Sequence, residues 1–140
     1  MSLRAGHRLV PHTADSIIEA WGPDRAGCLT EALLALVEGF AEIGDDRPTQ
    51  VMPIGAGPGR AEDELVALLE QVIFNVDALS VVPVRFHLGE TDRGGVSGEM
   101  EVVPADETVA IGPVPKGVSY HELSMMEGEG GWRCRVLVDV

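Results

Sequence analysis

Apolar residues recur at two different periods along this chain, and that switch limits the fold more than any single motif does. After Asp24, residues Leu29, Leu33, Leu36, Val37, Phe40 and Ile43 follow one another at steps of three and four, the period that gathers side chains on one face of a helix. Asp24 is the predicted N-cap, and Gly44, backed by Pro48, is the predicted stop. A second stripe of Leu65, Leu68, Leu69, Val72, Ile73 and Val76 predicts a helix over residues 61–76. Its first turn carries Glu62, Asp63 and Glu64, where carboxylates complement the helix dipole. Elsewhere the period drops to two. Val82, Val84, Phe86 and Leu88 share one face, Val96, Gly98, Met100 and Val102 another, and Trp132, Cys134, Val136, Val138 and Val140 form the longest alternation. These segments read as half-buried strands. Ile17–Trp21 and Leu9–Val10 are predicted strands too, and the glycines at 128, 130 and 131 turn Ser119–Met125 back on Trp132–Val140 as a hairpin.

Every element has a single apolar face, so helices and strands must cover one another. The expected class is α+β, two-layer: two helices packed on one face of a mixed, mostly antiparallel sheet. A length of 140 residues suits one domain spanning 1–140. The stretch 103–116, with Pro104, Pro113 and Pro115, is predicted to be a connection and not a boundary, because the hairpin beyond it has no other partner for its apolar face.

Composition narrows the function. Twenty-three Asp and Glu against ten Lys and Arg give a net charge of −13, which argues against direct strong nucleic-acid binding by phosphate neutralisation. No apolar run approaches the ~20 residues that cross a bilayer, and the first residues lack a signal core, so a cytoplasmic protein without membrane contact is expected. Cys28 and Cys134 stand far apart with no metal-ligand spacing and are expected as reduced thiols.

Three constellations could carry chemistry. Gly55–Arg60 resembles a phosphate loop superficially, but Pro58 removes a donor and the acids at 62–64 occupy the anion's place, which leaves a loop. The four histidines make no H-x-x-x-H pair. His7 and His87 read as strand-surface residues, whereas His12 and His121 sit beside other polar groups, in His12-Thr13-Ala14-Asp15 and Ser119-Tyr120-His121-Glu122. The third constellation is a pair of acids at strand ends. Asp15 precedes the strand Ile17–Trp21, and Asp139 lies beside Val140, on the face of the last strand shared with Arg133, Arg135 and Leu137. If the two meet, their oxygens suit Ca²⁺ or Mg²⁺.

These residues carry a resemblance. His12-Thr13-Ala14-Asp15 with Glu19-Ala20-Trp21-Gly22, then Glu62-Asp63-Glu64-Leu65, then Lys116-Gly117-Val118-Ser119-Tyr120-His121, and finally Gly131–Val140 together resemble the archease family, in its order and over almost the whole chain. The resemblance implies a non-enzymatic activator of the GTP-dependent RNA ligase that joins 3′-phosphate or 2′,3′-cyclic-phosphate ends to 5′-hydroxyl ends in tRNA splicing and RNA repair. Such a partner promotes guanylylation of the ligase's histidine and its multiple turnover. It further implies a divalent metal site, with Ca²⁺ expected and Mg²⁺ possible, formed by Asp15, Asp139 and Val140, with His12, Lys116, Tyr120 and His121 as supporting or partner-binding residues. The family commonly has Ile or Val after its first-block Asp, where this chain has Ser16. Gly117 and Ser119 stand where Ala and Thr are common. An acidic protein is attracted to the basic surface of an RNA-handling enzyme, in agreement with a ligase partner. The alternative is a small metal-dependent phosphoester hydrolase with Asp15 and Asp139 on the metal and His12 or His121 as general base.

Overall fold

The computed structural model describes residues 2–12, 15–42 and 50–140. In chain order the elements are β1 (Gly6–His12), β2 (Asp15–Gly22), α1 (Arg25–Glu38), β3 (Ala41–Glu42), β4 (Gln50–Ala56), α2 (Ala61–Leu79), β5 (Val81–Glu90), β6 (Val96–Pro104), a 3₁₀ turn (Ala105–Glu107), β7 (Val109–Ala110), β8 (Gly117–Gly128) and β9 (Gly131–Asp139). The α+β class read from the two hydrophobic periods is the one observed. All strand pairs are antiparallel, and the strands divide into a four-stranded sheet ordered β1-β2-β9-β8, a three-stranded sheet ordered β4-β6-β5, and the short pair β3-β7. Helix α1 packs on β1, β2 and β9 of the larger sheet and on β5 of the smaller, while α2 packs on β8 and on β4 and β5. Both helices therefore serve two sheets at once. Their stripes meet in a core whose fully buried members include Ile18, Leu29, Leu33, Leu36, Leu65, Leu68, Leu69 and Met100.

Local chemistry explains the boundaries. The Asp24 side chain accepts the Gly27 N–H at 2.6 Å, satisfying a donor that the first turn of α1 leaves free. The helix ends at Glu38, earlier than the predicted stop. There the Gly39 N–H donates to both Ala35 O and Leu36 O, and Phe40 N–H to Val37 O at 3.1 Å. Tightened bonds of this kind close the last turn, after which Ala41 and Glu42 leave to pair with Ala110 and Val109. Ile43, Gly44 and Pro48, to which the sequence pattern had extended the helix, lie outside the described residues. Helix α2 begins at Ala61 as expected, with Glu62, Asp63 and Glu64 in its first turn, and runs on to Leu79 before Ser80 turns left-handed at φ 53°. Strand β4 was not anticipated. It is an edge strand, which is where Pro53 can sit without breaking a ladder. The connection over 103–116 is ordered, and β7 within it pairs with β3.

Two contacts tie α1 to the larger sheet. His7 on β1 hydrogen-bonds Glu31 at 2.8 Å and also Glu38, two acids seven residues apart on one face of α1. Cys28, a free and buried thiol like Cys134, donates to Ala20 O at 3.6 Å. The side-chain contact with Cys134, reinforced by burial, pushes the Cys28 thiol well up from its ordinary value, so it is a packing group and not a nucleophile. For His7, burial alone lowers the pKa, but the bonds to Glu31 and Glu38 outweigh it and hold the imidazole above its usual 6.5. A raised folded-state pKa stabilises the protein fully below the unfolded value and loses that contribution as pH rises through the folded value. Thermal melts from pH 5.5 to 8 (roughly the window in which histidine titrates) are thus expected to show wild type losing more stability above the ordinary histidine pKa than His7→Gln does. Parallel profiles for the two proteins would remove His7 from that role.

Candidate functional site

The two acids singled out from sequence meet. Strand β2 pairs with β9 in a register that sets Asp15 directly opposite Asp139, Ile17 opposite Leu137, Glu19 opposite Arg135 and Trp21 opposite Arg133. Because successive residues alternate faces, these rungs share the side of the sheet turned away from the helices. The intervening rungs, Ser16 with Val138, Ile18 with Val136 and Ala20 with Cys134, turn towards the core. Ser16 is therefore an inward position. The neighbouring strands extend the first rung: His12 of β1 is in register with Asp15, and Gly117 of β8 with Asp139. Thr13, Ala14 and the His12 side chain lie outside the described residues.

The row has an unusual charge balance. Two rungs along, Glu19 is held by Arg8 at 2.7 Å and by Arg135 at 3.6 Å, and Arg135 also reaches Glu122 at 3.9 Å. Among the described residues no basic side chain is in ion-pair range of Asp15 or Asp139. Directly opposed residues in an antiparallel pair bring their Cβ atoms to about 4.5–5.5 Å, close enough for like charges to repel. Gly117 adds room, since a Cβ built there meets no atom within 4 Å. The main chain closes the arrangement through Lys116, whose N–H donates to Asp139 O at 2.7 Å.

Tyr120 and His121 are placed differently. Between the rungs Ser119–Leu137 and Ser124–Arg135 the β8 register slips, so that 120–123 form a bulge opposite the single residue Val136. Glu122 adopts φ 57°, Leu123 packs against the core, and the His121 N–H is held by Ser119 Oγ at 3.1 Å. Tyr120 is exposed, as is His121. The structure thus assembles Asp15, Asp139, Lys116 and Gly117, with His12 in register beside them, and sets Tyr120 and His121 on a separate projection.

One acid of the first turn of α2 is buried. Glu64 is 2% exposed, with Arg25 Nε of α1 at 3.2 Å. Arg25 also approaches Glu90 at 3.5 Å. Burial raises the Glu64 pKa, Arg25 pulls it back, and Glu90 raises it further, leaving it above the ordinary value. Glu64 precedes Leu68 and Val72 at steps of four, and that spacing was the available signal.

Known proteins agree with this architecture from end to end. A model of the archease protein family (MTH1598/TM1083) matches residues 7–140. The chain belongs to the archease family. It is 42% identical over 136 residues to a protein named "Probable protein archease" from Mycobacterium tuberculosis (strain CDC 1551 / Oshkosh), which spans 97% of this chain and 75% of that protein, and the match to the protein of strain H37Rv has the same figures. Among solved structures, protein 1598 of Methanobacterium thermoautotrophicum superposes with a TM-score of 0.71 at 20% identity, over 96% of this chain and 99% of that one. An archease from Thermotoga maritima, described as a possible chaperone, gives 0.67 at 18% identity, over 100% and 99%. These two likenesses establish a shared fold.

In this archease the unpaired acid rung makes its own prediction. Removing one of two directly opposed like charges relieves repulsion, so Asp139→Asn is expected to raise the free energy of unfolding in the presence of a chelator by about 0.2–1 kcal/mol. Urea denaturation of both proteins measures it, and a destabilised variant would show that the two carboxylates do not repel.

Proposed function

We propose that this archease activates a GTP-dependent RNA ligase, and that the rung of Asp15 and Asp139 is the part of it that acts on the ligase. The observation that carries this reading is the register itself. It sets two acids on one rung, with no basic side chain in ion-pair range of either among the described residues, next to a glycine, on the face of the sheet turned away from the helices.

The donor chemistry fits a divalent cation, Ca²⁺ or Mg²⁺. Two carboxylates and an oxygen of Val140 are hard ligands, as those ions prefer. Among the described residues no group of three or more His, Cys, Asp and Glu side chains is placed to hold a metal, so the chain offers a partial set that water or groups from a partner would complete. A bound cation would supply positive charge next to phosphate oxygens, which is what nucleotidyl transfer to a histidine draws on. The chain's own contribution is positional. Lys116 fixes the Asp139 main chain, the β2–β9 ladder fixes Asp15 against it, and Gly117 leaves space for an approaching group. Ordering a site in this way can accelerate transfer without the activator itself reacting. His12 serves as a contact at that centre, and Tyr120 and His121 as contacts for the partner on the separate projection of β8. The net charge of −13 favours the basic ligase over the RNA as the surface engaged.

The experiment is ligase guanylylation with the chain present. Asp15→Asn and Asp139→Asn, each checked for folding, are expected to lose most of the activation, and Ca²⁺ is expected to raise the melting temperature of wild type but of neither variant. Full activation by both variants would overturn the assignment of the site.

A further inference from the structure

The outward stripe of α2 runs Asp63, Ala67, Glu70, Phe74 and Asp77 at steps of three and four. One member breaks its polar pattern. Phe74 is 64% exposed, one turn after Glu70 and one turn before Asp77, whereas Leu65, Leu68, Leu69, Val72 and Val76 of the same helix are buried. Aromatic rings are among the costliest groups to leave in water, and an apolar patch with a polar rim marks an interaction surface.

The ring is also not a solitary protrusion. It is a ridge between two clefts, one of about 620 Å³ against the segment Val114–Val118 and one of about 510 Å³ against Met52 and Pro53 of β4. Val114, 41% exposed, continues the apolar surface across the first cleft. Glu70 borders both clefts and Asp77 the first, while Lys116 lies at the first cleft and donates its N–H to Asp139 O. The ridge and the acid rung are therefore joined by one short stretch of main chain.

We propose that the Phe74 ridge and its flanking clefts are the docking surface for a segment of the ligase that presents an apolar side chain beside a lysine or arginine, a reading that rests on the function proposed above. Aromatic anchors seated between pockets dominate many protein interfaces. The cationic neighbour is required by Glu70 and Asp77, and Lys116 confines it to the helix side of the ridge. A second copy of this chain is a poorer occupant. A two-fold interface sets each patch on itself, which would bring Glu70 and Asp77 against their own equivalents in a chain of net charge −13.

The test is a binding titration of the labelled chain with the purified GTP-dependent RNA ligase of the same organism, at low and at high salt. Phe74→Ser, at an exposed site and verified by its melting curve, is expected to weaken binding roughly tenfold or more and to raise by the same factor the concentration giving half-maximal guanylylation. Glu70→Lys is expected to weaken binding at low salt and flatten its salt dependence. Wild-type affinity in both variants would overturn the docking surface and leave the acid rung standing. Failure of the wild-type chain to bind the ligase at all would overturn the functional reading and this one with it. Self-association of the wild-type chain that disappears in Phe74→Ser would assign the ridge to a second copy and overturn the proposal.

Discussion

The pairing of β2 with β9 is the interaction on which the rest of the molecule depends. It joins residues near the front of the chain to residues at its far end, and no other strand pair spans so much sequence. Long-range pairings pay loop-closure entropy before they return anything, so this one must be secured by what it buries. It is secured on both faces. Ile18, Ala20, Val136 and Val138 turn inward against the helices, while Ile17 and Leu137, also buried, oppose each other on the outside. A one-residue slip would exchange the two faces and carry the inward set out to water. The position of Asp15 against Asp139 is thus inherited from the core, and no contact between the acids is needed to hold it.

Charge is distributed with the same economy. Several acids on the sheet surfaces have a basic neighbour across the ladder, as Glu19 has Arg8 and Arg135, and Glu101 has Arg85 and His87. Such exposed pairs contribute little to stability, but they lower the local field. The Asp15–Asp139 rung stands outside that arrangement, so a locally concentrated negative charge remains there in a protein already far from neutrality. Glu64, the one buried carboxylate among the described residues, is matched by Arg25 across the N-terminal ends of the two helices. A buried pair of this kind costs desolvation and is weak support for stability, while losing one partner leaves an uncompensated charge. It fixes how α1 and α2 meet.

What was readable from the sequence follows from how local each determinant is. The stripes of α1 and α2, the Asp24 cap and the alternation of β9 depend on neighbours a few residues away, and they are found where the pattern places them. The end of α1 is different. Phe40 and Ile43 continue the helical period, yet Ala41 and Glu42 are taken by a strand pair with a distant segment, and pairing partners are not written in the period. Strand β4 escaped notice because Pro53 interrupts it, and its tolerance depends on an edge position that topology alone assigns. Glu64 and Phe74 are the informative exceptions: a carboxylate in the apolar stripe of α2 and an aromatic ring in its polar stripe. In the candidate site, the two acids and Lys116 were legible as residues, but the bulge that sets Tyr120 and His121 apart depends on where β8 loses register, and nothing in Ser119–Ser124 announces it beyond its polarity.

Geometry also bears on whether this site would act on a small substrate or on another protein. Active sites are concave, because excluding water strengthens every electrostatic interaction inside them. Neither of the clefts beside Phe74 is lined by Asp15 or Asp139, nor is the cleft of about 400 Å³ formed along the β8–β9 hairpin. Asp139 is exposed and Asp15 half-buried, with Gly117 in register beside Asp139. The same exposure becomes an advantage once a second protein covers the face, since the covering surface supplies the low-dielectric wall that this chain lacks. On the function proposed above, the arrangement is a half-site whose electrostatics gain strength on docking.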